Sequence, residues 1–292
     1  MDTNFNDSDF AAMAAEMENE AKQGTFQSMY WKPQNEGITN IRIITPLKQF
    51  GEKLFYQKHM IHYINGHSFL CLNQTLKDKN GNIHEAESCP ICTKVKQLYS
   101  VAQKDSEEWK LAGQLRAKDR YVSRIIVRGK KNADGQIDET KPEFWEFGKK
   151  IHEYFFNQIK LGQAGNFLSL KDGRDYLLSK KGTGRNTDYS ASCLSMSTSP
   201  IFSDAESLKK LLEYLPKMEY SQLVEFKSSA NLKEELNLFL NGGDEQDDFQ
   251  TGFNNNPVDD SLDAPYAQVA VPKKEETPSS NNEDIDTLLK MI

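Results

Sequence analysis

The sequence predicts a mixed, mainly β fold, built as a small closed or partly open barrel with an inserted metal-binding module and flanking helices. Three observations predict it. Short apolar stretches are separated by glycine turns, histidines and cysteines cluster between residues 59 and 92, and the composition changes beyond Gly243. We therefore expect a folded body over residues 24–243, with the metal module at about 55–117 inside it.

The barrel is predicted from strands bounded by turn residues. Residues 120–128 alternate most clearly, and residues 38–45 lie between Gly37 and Pro46. A helix over 149 to about 160 lies midway along the series. The remaining predicted strands cover residues 26–31, 143–148, 166–170, 174–180 and 187–194.

The metal module contains a Cys-x-x-Cys pair, Cys89 and Cys92, and seventeen residues separate Cys71 from Cys89. Two residues between ligands let a tight turn direct both sulfurs at one point. Tetrahedral zinc takes four ligands, so three thiolates and one imidazole complete a structural site.

The fourth ligand is predicted from hairpin geometry. Asn65-Gly66 is a strong two-residue turn signal, and it pairs His62 with Phe69 and Met60 with Cys71. Because side chains alternate along a strand, His62 and Cys71 share a face and His59 points away. We predict His62 as the ligand, His59 as the second choice, and note that His84 lies in the loop between the cysteines.

Other cysteine chemistry fits less well. A redox Cys-x-x-Cys needs a βαβ setting, and a disulfide needs an oxidising compartment. The N-terminus lacks the basic-then-apolar pattern of a secretory signal, so we expect a reducing, intracellular location. Cys193 stands alone and is expected to be an ordinary thiol.

Helices are predicted at both ends of the body. Residues 8–22 form an alanine-rich helical arm, and residues 91–103 and 106–117 follow the Cys-x-x-Cys pair. Ser203 and Glu206 form a capping box for a helix with a leucine stripe.

The C-terminal segment, residues 244–292, has the composition of a disordered acidic tail. Its last ten residues differ, because apolar residues recur there at helical spacing beside acids. We predict a partner-binding tip formed by Asp284, Ile285, Asp286, Leu288 and Leu289.

Charge is distributed unevenly along the chain. The net charge is −7, but residues 1–23 carry −5 and residues 244–292 carry −9, so the body carries +7. A basic body with acidic ends is compatible with a polyanionic ligand.

Basic and aromatic residues interleave through the predicted barrel. Cations follow a phosphate backbone, and exposed rings stack on unpaired bases, so the mixture favours single-stranded nucleic acid over duplex. Taken singly, most of these rings fit a core and most lysines a solvated surface. The set comprises Arg120, Tyr121, Arg124, Arg128, Lys130, Lys131, Trp145, Phe147, Lys149, Lys150, Tyr154, Tyr176, Lys180, Lys181, Arg185 and Tyr189.

Catalytic motifs are lacking in the sequence. Gly182-Thr-Gly184 has no following Lys-Ser/Thr, and no serine lies in a nucleophile elbow. His152, on a predicted helix, is expected to be a surface or groove residue. A non-enzyme is predicted; the alternatives are a zinc-ribbon protein adaptor and a metal-dependent DNA-processing enzyme.

The sequence resembles the single-stranded DNA-binding, helix-destabilising proteins of T-even-type bacteriophages. The shared features run in order along most of the chain. They are the alanine-rich arm, Ile41-Arg-Ile-Ile-Thr-Pro, the His…Cys…Cys-Pro-x-Cys module, Tyr121 in its strand, Phe147-Gly-Lys-Lys-Ile, Gly165-Asn-Phe-Leu and the ending Asp284-Ile-Asp-Thr-Leu-Leu.

This resemblance implies an OB-fold core with an inserted zinc subdomain holding one structural Zn²⁺, and a cleft for single strands. It implies that Arg42, Lys149 and Lys150 meet phosphates and that Tyr121 and Trp145 stack on bases. It also implies roles in phage DNA replication, recombination and repair in the cytoplasm of the infected bacterium, a tail that binds replication and recombination proteins, and self-association through the arm at residues 1–23. Family members have a basic extreme N-terminus, whereas this chain carries Asp2, Asp7 and Asp9.

Overall fold

The computed structural model describes residues 30–132 and 134–241 of the chain. The predicted arm at 8–22, the acidic tail and its tip therefore lie outside the described residues. Within the described part, no helix is both long and apolar enough to cross a membrane.

The described chain is mainly β-sheet with five α-helices. The helices are α1 (Pro90–Val101), α2 (Glu107–Leu115), α3 (Lys149–Leu161), α4 (Ala205–Tyr214) and α5 (Ser229–Asn241). The strands are β1 (Tyr30–Trp31), β2 (Gly37–Ile43), β3 (Tyr56–Ile64), β4 (His67–Leu70), β5 (Leu76–Lys77), β6 (Ile83–His84), β7 (Lys118–Val127), β8 (Glu143–Phe147), β9 (Tyr176–Lys180) and β10 (Cys193–Leu194).

Strand β7 organises the main sheet. It pairs antiparallel with β8 along one edge, and with β3 and then β2 along the other. The hydrogen-bonded order is β1-β8-β7-β2-β9-β10, with β3 joining β7 to β4. The two ends of this path, β1 and β10, are not paired with each other in the described residues, so the sheet is open there.

The hairpin of β3 and β4 has the predicted register. His62 pairs with Phe69 and Ile64 with His67. Asn65 and Gly66 both have positive φ, the conformation that a tight two-residue hairpin turn requires. The Cys71 amide donates to the Met60 carbonyl at 2.8 Å, which extends the pairing to the first cysteine.

The two faces of the sheet are both covered. The inner face of β7 contributes Tyr121 and Ile125 to a core that α3 closes with Ile151 and Phe155. On the outer face, Ile126 packs in a second cluster with residues of α4 such as Leu208. From Tyr121 to Val127, the residues of β7 are therefore buried on one side of the sheet or the other.

Three sequence predictions about local structure are wrong. Residues 166–170 form turns instead of a strand, because Phe167 alone enters the core rather than an alternating row. Of the strand predicted at 187–194, only Cys193–Leu194 forms. Helix α4 is capped by Asp204, whose carboxylate accepts from the Ser207 amide at 2.7 Å, and not by Ser203.

Candidate metal centre and nucleic-acid interface

Four side chains converge between the β3–β4 hairpin and the start of α1. Their ligand atoms, from His62, Cys71, Cys89 and Cys92, all lie within 4.8 Å of one another. The His62 Nε2 atom is 3.4 Å from the Cys89 Sγ and 3.5 Å from the Cys92 Sγ. Around tetrahedral zinc, neighbouring ligand atoms lie about 3.5 Å apart for an N–S pair and about 3.8 Å apart for an S–S pair, given bond lengths of about 2.0–2.3 Å. The spacing therefore suits a four-coordinate metal ion.

The orientation of the His62 ring is set by a hydrogen bond behind it. Its Nδ1 lies 2.8 Å from the carbonyl oxygen of Leu115, at the end of α2. A carbonyl only accepts, so Nδ1 carries the proton and Nε2 faces the sulfurs. Such a backing hydrogen bond is typical of metal-binding histidines.

Electrostatics in the cluster favour a cation at its centre. Burial lowers the pKa of His62, but hydrogen bonds to Cys89 and Cys92 outweigh burial and raise it to about 9. Hydrogen bonds from Cys71 and Cys92 lower the pKa of the Cys89 thiol. Thiolate charge that stabilises a proton on a neighbouring imidazole stabilises a metal ion in the same place.

The two other candidate histidines are directed elsewhere. His84 Nε2 lies 2.9 Å from a carboxylate oxygen of Asp78. His59 is fully buried, and neither of its ring nitrogens has a hydrogen-bond partner among the described residues. Strand alternation separates His59 from the cluster, as the hairpin predicted.

The metal centre belongs to a hydrophobic cluster of its own. Cys71 and Cys89 pack with Ile91 of α1 and Leu115 of α2. Leu232, from the distant helix α5, completes the same cluster. The position of α5 could not be predicted from the sequence, because nothing local to residues 229–241 indicates which apolar surface they cover.

Several arginines predicted to bind DNA are instead engaged within the fold. The Arg42 side chain is 1% exposed, and its Nε donates to Asp175 at 2.7 Å. Arg124 is equally buried and forms two hydrogen bonds with Glu52. In this conformation both guanidinium groups are buried and paired with carboxylates.

Three other basic residues of the predicted DNA-binding set form ion pairs or hydrogen bonds within the fold. Arg128 forms ion pairs with Glu139 and Asp175, and Lys130 is paired with Glu143. Arg120 donates from Nε to the Tyr63 hydroxyl at 2.9 Å.

The buried partners of Arg42 and Arg124 could not be found from sequence patterns. Asp175 lies 133 residues from Arg42 in the chain, and Glu52 lies 72 residues from Arg124. Strand alternation places each arginine on a face of its strand, but it does not indicate which distant carboxylate covers that face.

The predicted stacking rings lie mostly in the core. Trp145 and Phe147 are each 3% exposed and Tyr121 is 6% exposed. Their alternation on β7 and β8 points them inward, where they pack against one another and against α3. In this conformation these three rings are core residues, and Tyr189 is half-buried at the edge of the same core.

The exposed cations of the predicted DNA-binding set include the two that begin α3. Lys149 and Lys150 occupy the first turn and are both exposed, and Lys131 is exposed in the β7–β8 connection. A Cβ placed at the helix N-cap, Gly148, would lie 3.3 Å from Nη1 of Arg120, so that guanidinium lies beside the helix start. Amides of a helix N-terminus favour anions, so the basic groups and the helix end act in the same direction.

Comparison with known families matches residues 35–240, more than two thirds of the chain, to the family described as gp32 DNA binding protein like. The chain belongs to the gp32-like family. The match covers the metal centre, β7, β8 and the start of α3, so the site lies wholly within the gp32-like region. No curated protein matches the chain in sequence.

Proposed function

We propose that this chain is a non-catalytic protein that binds single-stranded DNA with little sequence preference, coating and protecting it. The observation that carries the proposal is the match of residues 35–240 to the gp32-like DNA-binding family. The sequence adds a folded body of net charge +7 between acidic ends. Such a body attracts a polyanion without reading its bases.

The start of α3 is the proposed phosphate-binding surface. Lys149 and Lys150 are exposed there, and Arg120 lies beside them. We assign the main sheet, on which α3 packs, to an OB-fold barrel that is open between β1 and β10. Binding through cations and ring faces accepts any base, since every base has a π-face and every nucleotide a phosphate.

The cluster of His62, Cys71, Cys89 and Cys92 is proposed to hold one structural Zn²⁺. When bound, the ion would link the β3–β4 hairpin to the start of α1, which supplies stability that the small cluster of α1, α2 and α5 needs. The four side chains would supply all the ligands of a tetrahedral ion, as in closed structural sites, and would leave no coordination position for a substrate.

Destabilisation of the DNA double helix would follow from mass action. A protein that binds unpaired strands and not duplex shifts the DNA melting equilibrium toward the open form. We place this activity in phage DNA replication, recombination and repair, in the cytoplasm of the infected host. The acidic tail, residues 244–292, is the proposed binding segment for replication and recombination proteins, and the arm at 1–23 for self-association on DNA.

The test is a fluorescence titration of the full chain with oligo-dT and with duplex DNA of the same length, at two salt concentrations. We expect preference for oligo-dT and weaker binding at higher salt. Equal, weak binding to both would favour a zinc-ribbon protein adaptor. Cleavage of the DNA in the presence of Mg²⁺ would favour a DNA-processing enzyme.

A further inference from the structure

Three rings form a column that leads from the core to the surface beside Lys149. The rings of Phe147 and Tyr121 are stacked with centroids 5.8 Å apart and planes inclined by 20°. The ring of His152 lies on Tyr121 with centroids 3.9 Å apart and planes inclined by 9°. Phe147 and Tyr121 are buried, whereas His152 is part-exposed. The imidazole is therefore the outer end of the column.

Tyr121 cannot itself receive a base in this arrangement. It is buried, and the rings of Phe147 and His152 both stack on it. Tyr56 meets its edge at 85°. A base that stacks on this column has to do so at its exposed end.

The orientation of the His152 ring is set by contacts with Tyr56. Its Nε2 lies 2.9 Å from the Tyr56 hydroxyl, and the Tyr56 ring stands at 88° to the imidazole. Among the described residues, no ring stacks on the face of His152 opposite Tyr121. His152 lies on α3, three residues after Lys149 and two after Lys150.

We propose that His152 is a base-stacking residue of this chain: a nucleobase of bound single-stranded DNA continues the Phe147–Tyr121–His152 column on the imidazole face that points away from Tyr121. This inference rests on the proposed single-strand binding and assigns one of its base contacts. The lysines of the same helical turn are placed to meet the phosphates that flank the stacked base.

The charge state of His152 suits stacking without base preference. Burial lowers its pKa, an effect that Lys58 reinforces and that Glu153 and Asp119 oppose. The net lowering keeps the ring neutral at pH 7. A neutral ring contributes through its π-face alone and adds no charge to the salt dependence of binding.

The test uses three variants of the full chain: His152→Ala and His152→Gln, which remove the ring, and His152→Phe, which keeps one. Each is titrated with oligo-dT and with an abasic oligonucleotide of the same length, which keeps the phosphates and lacks the bases. Thermal melting of each variant shows that it is folded.

We expect both ring-removing variants to bind oligo-dT about tenfold more weakly, the loss of one base stack, with an unchanged salt slope. Binding to the abasic strand should stay within about twofold of wild type. His152→Phe should keep most of the affinity for oligo-dT. Should one ring-removing variant fail to fold, the other supplies the same comparison.

Three results would overturn the assignment: unchanged binding of oligo-dT by the ring-removing variants, an equal loss on both strands, or a gain in affinity, which would make His152 a cover over Tyr121. If wild type itself shows no preference for oligo-dT over duplex, the proposed function is contradicted, and the His152 assignment with it. If wild type does prefer oligo-dT and the ring-removing variants bind it equally well, only the assignment of His152 is contradicted.

Discussion

The guanidinium group of Arg124 forms a two-pronged pair with Glu52, with Nη1–Oε2 and Nη2–Oε1 distances of 2.8 and 2.5 Å. Its Nε donates to the Met218 carbonyl, and the centroid of the Tyr220 ring lies 4.0 Å from the guanidinium carbon. Arg124 thus joins β7 to the turn before β3 and to the segment that follows α4. A residue whose charge suggested a DNA contact holds three parts of the fold together.

Arg124→Ala should therefore destabilise the protein. Removing one partner leaves Glu52 as an uncompensated charge, which costs about 3–5 kcal/mol for a buried pair. Chemical denaturation measures this loss as a lower midpoint. Lys131→Ala, at an exposed position, is the matched control and should leave the midpoint in place. A midpoint for Arg124→Ala equal to that of wild type would contradict the structural role.

Lys149→Ala and Lys150→Ala should show the reverse pattern. Both side chains are exposed at the start of α3, so their removal should leave thermal stability unchanged. Removing a lysine that meets a phosphate should weaken DNA binding and reduce the slope of log K against log salt by up to about 0.7. Titrations of oligo-dT at several salt concentrations measure the slope. Slopes identical to wild type for both variants would remove this helix end from the interface.

Cys89→Ser should loosen the module formed by the β3–β4 hairpin, α1 and α2. The serine hydroxyl is a poor substitute for a thiolate ligand, and loss of coordination removes folding free energy. Elemental analysis should find one zinc per chain in wild type and less in the variant, which should also melt at lower temperature. Cys193→Ser, at an exposed cysteine outside the cluster, is the control. Wild-type protein purified without chelator and free of zinc would contradict the site.

His59 should make stability fall in mild acid. Burial lowers its pKa from 6.5 to about 4, and neither ring nitrogen has a hydrogen-bond partner in the described structure. The unfolded chain therefore binds a proton that the folded chain refuses between these two values. The contribution of His59 to the free energy of unfolding is therefore full above pH 6.5. It falls by about 3 kcal/mol in total as the pH decreases toward 4.

The measurement for His59 is the free energy of unfolding from neutral pH down to about pH 4, for wild type and His59→Leu. Other groups titrate in the same window, so the informative quantity is the difference between the two profiles. Wild type should lose stability relative to His59→Leu as the pH falls. Parallel profiles would show that His59 does not titrate against folding.

Features that depend on local geometry could be predicted from the sequence. Asn65-Gly66 sets the hairpin register, and alternation then selects His62 over His59 as the partner of Cys71. Alternation on β7 also separates Tyr121 from Arg124 correctly. It does not reveal that both faces are covered, because α4 and the segment after it come from much later in the chain.

The same limit explains the aromatic residues. Interleaved rings and cations are compatible with a binding groove or with a core edged by ion pairs, and only packing distinguishes them. Trp145 and Phe147 proved to be core residues, while the ring at the surface is His152. Its stack on Tyr121 joins two residues that lie on different elements, so no local pattern indicates it.

The central claim is that the chain prefers unpaired DNA strands, and the most direct measurement is the melting temperature of an AT-rich DNA duplex at low salt with and without saturating protein. Preference for unpaired strands predicts that the protein lowers the DNA melting temperature, and that added salt reverses the effect. An unchanged or raised melting temperature of the duplex would contradict it.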